Sequence, residues 1–159
     1  MYFINRLSLP PADAVALHRT YYTQYGLSVE GLALHHKIDP LEYNAMVDDA
    51  LPLEDIIYPD SRLRRLLQDF DRSKVRLWLF TNAYANHGKR VVRLLGVDDL
   101  FDGITYCDYG SFPLVCKPRD AMYAKAQVEA GAASPGDCYF VGESSAPVYW
   151  SLLTSPWRR

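Results

Sequence analysis

The chain has 159 residues, 49% hydrophobic and 23% charged, with 17 basic against 19 acidic side chains and a net charge of -2. That apolar fraction excludes disordered and fibrous classes, and the length suits one domain or a small domain with an attached subdomain. The charge balance, without any Lys/Arg run, leaves no footprint for nucleic acid, and no apolar stretch approaches the ~20 residues that span a bilayer. The N-terminal segment from Met1 meets Pro10-Pro11 too soon to hold a signal-peptide core. Cys107, Cys116 and Cys138 are odd in number and lack Cys-x-x-Cys spacing. They are expected to be reduced thiols of a protein in the cytoplasm, or the nucleus, rather than staples or metal ligands.

Up to about Pro59 every periodic segment predicts helix. Pro10-Pro11 opens one with Val15, Leu17, Tyr21 and Tyr22 for an apolar face, and Gly26 stops it. Ser28 begins a short segment through Leu32 and Leu34. Asp39-Pro40-Leu41-Glu42 predicts a capped start, with Glu42 closing a capping box, for a helix running to about Ala50. Three short helices make a small bundle. From Ser61 the pattern alternates. Ser61–Phe70 is a helix, Val75–Phe80 a strand, residues 86–95 a helix stopped by Gly96, and Gly103–Tyr106 a second strand. Pro118–Ala130 is a helix ending at Gly131, and Asp137–Val141 a third strand. Strands alternating with helices mean βαβ units and a parallel sheet. The expected organisation is a helical subdomain over 1–59, an α/β part over 60–141 and an irregular tail over 142–159.

Open α/β sheets bind ligands at the carboxyl ends of their strands. There the sequence sets Thr81-Asn82-Ala83, Cys116-Lys117-Pro118 and Gly142-Glu143-Ser144. Thr81 can donate to a phosphate oxygen, Lys117 can supply charge, and Glu143 can approach a metal ion. Singly, each has a plainer explanation: a turn residue, a solvated lysine before a helix, a solvated carboxylate in a tail. Jointly, the order of strand-Thr-Asn, Lys-Pro-helix and strand-acid is far more specific.

Leu79-Phe80-Thr81-Asn82, Cys116-Lys117-Pro118 and Tyr139-Phe140-Val141 resemble motifs II, III and the start of IV of the haloacid dehalogenase-like superfamily. Tyr22–Gly26, Leu41–Asn44, Val47–Asp49, Leu77–Ala83 and Leu100–Tyr109 look like the fungal and plant pyrimidine 5′-nucleotidase group, so the likeness covers residues 10–141. The resemblance implies a Rossmann-like parallel sheet with a helical cap and a Mg²⁺-dependent phosphomonoesterase acting on nucleoside 5′-monophosphates. In such enzymes an aspartate attacks phosphorus, a second acts as acid and base, and water hydrolyses the phosphoaspartyl intermediate. The resemblance gives Thr81 and Asn82 the phosphate, Lys117 the neutralisation of charge, and motif IV acids, here Glu143, the magnesium. The cap excludes water and chooses the leaving group. Nucleic acid and membrane partners are not implied.

The chain departs from the pattern twice. Motif I, an Asp-x-Asp at the end of a strand ahead of the cap, is missing, so the chain is expected to be truncated, inactive and without its central strand. Asp69-Phe70-Asp71-Arg72-Ser73 imitates that motif, but it follows a helical pattern and leads into a strand, which makes it a turn. After Val141 the family has two aspartates, where this chain has Gly142-Glu143. The tail can be encoded with a splice donor at Gly142-Glu143-Ser144 and a branch site at Leu152-Leu153-Thr154, and residues 142–159 are expected to be translated intron. The competing expectations are a non-catalytic fragment that at most binds phosphate, and a small nucleotide-binding α/β domain. The latter lacks a Gly-rich phosphate loop. Three arrangements can follow from the missing strand: its neighbours pair directly, Tyr2–Ile4 fills the slot, or the gap stays open. His35, His36 and Tyr43 lie in the bundle and are assigned no role.

Overall fold

The structure, a computed structural model, describes residues 1–142, so Glu143 and the tail beyond it lie outside the described residues. The N-terminal part is helical: α1 (Tyr2–Leu7), a fourth helix that the pattern does not predict, precedes α2 (Pro11–Tyr25), α3 (Ser28–His36) and α4 (Pro40–Met46), which stand where the pattern predicts three. Pro11 occupies the first turn of α2, where its missing N–H costs nothing, and Gly26 closes that helix at φ 81° with its N–H on Tyr22 O. Asp39 caps α4 by accepting from the Leu41 N–H at 2.9 Å. Glu42 does not close a capping box; it reaches Arg6 at 2.9 Å instead. The helix ends at Met46 rather than Ala50, and the Asn44 amide donates to Asp49 across the turn that follows, at 2.9 Å.

Phe3, Ala14, Tyr21, Leu32 and Ile38 form the buried cluster of this bundle. Tyr2–Ile4 therefore belongs to helix α1, anchored by Phe3, and does not fill a slot in the sheet.

The second part begins with α5 (Ser61–Gln68), capped by Asp60 Oδ1 on the N–H groups of Arg62 and Leu63. Strand β1 (Trp78–Phe80) leads through α6 (Ala85–Leu94) to β2 (Gly103–Thr105), and α7 (Asp120–Ala130) follows. Trp78 lies opposite Gly103, Leu79 opposite Ile104 and Phe80 opposite Thr105, in parallel register. This is the βαβ unit that the alternating pattern predicts. Gly103 is required because a Cβ there would enter the Trp78 ring.

β1 starts three residues later than expected. Asp71 O accepts from the N–H groups of Lys74 and Val75, which keeps the chain in a turn. The third strand is a correction. Pro135–Asp137 forms a 3-10 turn, with Ser134 and Asp137 bonding each other reciprocally, and Tyr139 makes only a single bridge. Among the described residues the sheet has two strands, α7 begins at Asp120, and none of the seven helices is long and apolar enough to cross a membrane.

A second buried cluster joins the two parts. Val29 of α3 meets Cys107, Tyr109, Leu114 and Cys116, with Leu27, Tyr43 and Tyr84 around them. The floor of the candidate site stands on it.

Candidate active site

At the carboxyl end of β1 the Thr81 N–H continues the ladder, donating to Thr105 O at 3.0 Å. Its Oγ1 accepts from the Ala83 N–H at 3.0 Å, which turns the chain and leaves the hydroxyl proton to donate elsewhere. Asn82 then reaches across to the segment before α7. Its Nδ2 donates to Lys117 O at 2.9 Å, and its Oδ1 accepts from Lys117 N at 2.7 Å. A planar amide satisfies both polar groups of one residue's main chain, so residues 35 positions apart are fixed edge to edge. The peptide between Lys117 and Pro118 is cis.

From this clamp the Lys117 side chain turns back over the strand. Its Nζ donates to Phe80 O at 3.0 Å and stands 4.9 Å from the centre of the Phe80 ring and 5.5 Å from that of Phe140. Aromatic faces attract an ammonium group. Burial nevertheless pushes its pKa below the ordinary lysine value, because desolvation disfavours the charged form. Among the described residues Lys117 has no ion-pair partner. Phe80, Phe140 and Tyr123 meet one another edge to face, at 5.2 to 6.4 Å. The expected site residues Thr81, Asn82 and Lys117 are thus brought to one strand end. Glu143 lies outside the described residues.

The N-terminal helices press on this segment. A Cβ on Gly26 would collide with Lys117 O and the Pro118 ring, so the turn after α2 passes directly against the lysine peptide. The Cys116 thiol donates to Tyr25 O at 3.4 Å. Arg119 spans Leu114 O and Glu30 Oε1, the latter at 2.6 Å. Sequence reasoning missed Glu30, although a lone carboxylate between Val29 and Leu32 is itself a signal that a buried cation waits nearby. On the other side Tyr109 donates to Asn82 O at 3.3 Å and stacks on Tyr84. Burial raises the pKa of Tyr109 and of nearby Asp48.

Asp69 and Asp71 are at a helix end, as their context predicts. Asp71 accepts from Ser73 N and Oγ and pairs with Lys74 at 3.1 Å. His35 and His36 are hydrogen-bonded to Tyr25 and Tyr21, and Tyr43 packs on Tyr2. The three cysteines are free thiols.

Magnesium does not fit the described residues. It requires several oxygen ligands in near-octahedral array. Among the described residues no three His, Cys, Asp or Glu side chains stand together to hold a metal, and Phe80 O already receives an ammonium group.

A parallel βαβ unit with a hydroxyl, an amide clamp and a lysine gathered at one strand end defines the chain as an α/β protein whose polar groups converge where such sheets place their ligands. The model of the haloacid dehalogenase-like hydrolases matches residues 10–146, and the chain belongs to that family. It is 40% identical to Phosphate metabolism protein 8 of Saccharomyces cerevisiae (strain ATCC 204508 / S288c), over 95% of this chain and 50% of that relative. The chain therefore spans about half the length of that relative.

Proposed function

We propose that this chain carries the phosphate-gripping part of a phosphomonoesterase site for pyrimidine nucleoside 5′-monophosphates, and that as it stands it binds phosphate without turning it over. The observation that carries this reading is the Lys117 ammonium group, which has no ion-pair partner among the described residues, on a main chain that Asn82 clamps beside the Thr81 hydroxyl. Phosphate would draw the ammonium off the Phe80 carbonyl, because a charged acceptor outcompetes a neutral one. Thr81 would donate to a second phosphoryl oxygen, and the N-terminal helices would serve as the cap that keeps water off. Membership of a hydrolase family and a relative named for phosphate metabolism support the chemistry. The pyrimidine preference rests on the likeness of residues 77–83 and 100–109 to that nucleotidase group.

Covalent transfer needs a carboxylate nucleophile beside the phosphate, and among the described residues no carboxylate pairs with Lys117. Losing a covalent nucleophile costs many powers of ten in rate. The test is hydrolysis of UMP and CMP in Mg²⁺-containing buffer, by this chain and by a version that adds an upstream strand ending in Asp-x-Asp. We expect no turnover from the first and turnover from the second that Lys117→Ala abolishes. Any turnover by the chain alone overturns its inactivity, most directly if Lys117→Ala abolishes it, and an inert longer version overturns the phosphatase reading.

A further inference from the structure

Glu30 is 2% exposed, in a stretch of α3 where Ser28, Val29, Gly31 and Leu32 are all buried. A carboxylate is carried into such surroundings only with a strong partner. Here the partner is Arg119, whose Nη2 donates to Glu30 Oε1 at 2.6 Å while Nη1 donates to Leu114 O. Arg119 N also donates to Cys116 O at 3.0 Å. One guanidinium thus ties both ends of the Leu114–Arg119 segment and fastens that segment to α3. Lys117 lies inside it. Its main chain has a second tether in Asn82, and its peptide oxygen is pressed by Gly26.

We infer that Glu30 is a positioning residue for Lys117: its buried ion pair with Arg119 locks the lysine segment to α3, so that docking of the N-terminal helices and presentation of the ammonium group are a single event. The residue acts through Arg119 and touches neither Lys117 nor the anion. Only the use of the ammonium on phosphate rests on the function proposed above; the positioning itself does not.

The test uses the full chain labelled with 13C- and 15N-enriched lysine, the Lys117 Cε signal being assigned by its loss in Lys117→Arg. Glu30→Gln keeps the shape and removes the charge. Its Lys117 titration midpoint should move up by about half a pH unit or more towards the ordinary value near 10.4, as the segment loosens and water reaches the amine. Arg119→Met should do the same, and Arg119→Lys, which keeps a cation opposite Glu30, should move it less. A midpoint unchanged in Glu30→Gln overturns the inference, whatever happens to overall stability.

Amide exchange in the unsubstituted chain tests the same coupling and needs no variant to fold. Lys117 N–H and the amides of Gly31 and Leu32 should open together, with the same dependence on urea. Exchange of Lys117 through a smaller opening that leaves α3 protected overturns it. Inorganic phosphate followed by 31P line broadening separates the two proposals. Loss of binding in Glu30→Gln alongside the lysine shift supports both. Absence of binding to the unsubstituted chain refutes the proposed function, and the lysine titration still decides the positioning.

Discussion

Asn82 and Lys117 face each other as two amides, one from a side chain and one from the main chain. Nδ2 donates to Lys117 O at 2.9 Å, and Lys117 N donates to Asn82 Oδ1 at 2.7 Å. Removing one side chain therefore orphans a donor and an acceptor together, both partly buried. Asn82→Ala should cost about 2 kcal/mol, from two lost hydrogen bonds and the desolvation of the groups left behind. Asn82→Asp should cost more at neutral pH, because it sets a carboxylate oxygen against the Lys117 carbonyl. Urea unfolding of the three chains checks the order; a neutral Asn82→Ala shows the clamp to be ornamental.

Lys117 sets a pH dependence of definite sign. Burial depresses its folded pKa below the unfolded value, so the folded state holds fewer protons than the unfolded state between those two values. The charged amine costs stability wherever it is protonated in both states, and that cost is relieved as the pH rises through the folded pKa towards ~10.4. The unsubstituted chain should therefore gain urea resistance relative to Lys117→Met on going from neutral to alkaline pH. Taking the difference removes the tyrosines, whose burial acts in the opposite direction. A flat difference, or one of the reverse slope, contradicts the burial of the ammonium.

The elements legible in the sequence are those fixed by local chemistry. Asp39 with Pro40 signals α4, and Gly26, Gly96 and Gly131 mark helix ends where the backbone takes positive φ. α1 leaves no such signal because it is six residues long and has no side-chain cap; tertiary burial of Phe3 sustains it. The third strand expected over Asp137–Val141 does not form among the described residues, because its first residue, Asp137, closes a 3-10 turn with Ser134 and only Tyr139 then makes a bridge. At the site, Thr81, Asn82 and Lys117 are readable as strand-end residues. Their mutual geometry is not, because a side-chain amide bonding a main chain 35 residues away leaves no periodic trace. The same holds for Glu30 and Arg119, 89 positions apart.

Arg90 makes a second junction between the two parts. From α6 it donates to both oxygens of Glu54, at 3.0 and 2.5 Å, and to Asp49 O and Leu51 O at 3.1 and 2.8 Å. The guanidinium thus organises the 49–54 link that leads from the helical bundle to α5. Arg90→Ala should speed amide exchange at Leu53, Asp55, Ile56 and Ile57, whose bonds close that turn, and leave α3 unchanged. The Arg90 bond also lowers the pKa of Glu54, so this support is present above the unfolded value near 4.3 and fades as the pH falls through the folded one. Uniform exchange across the chain in Arg90→Ala would place the effect on global stability instead.

The two-stranded sheet sets the last expectation. α5 carries Leu63, Leu66 and Leu67 at helical spacing, yet none of its residues is buried, and Leu66 is 59% exposed. Phe70, Val75, Tyr139 and Val141 are exposed as well, the last at 93%. Two short strands give little independent stability, and exposed apolar surface promotes association. A further strand beside β1 would supply ladder partners and a surface on which the leucines of α5 can bury. Each leucine so covered contributes roughly 1.5–3 kcal/mol. The chain alone should therefore unfold at a lower urea midpoint than the version with an added upstream strand, and bind more of a hydrophobic dye before unfolding. In that longer version Leu66→Ala should become clearly destabilising, whereas in the chain alone it should be nearly neutral. A steep cooperative transition of the chain alone, at the midpoint of the longer version, would show that the two strands and their helices already close a sufficient core.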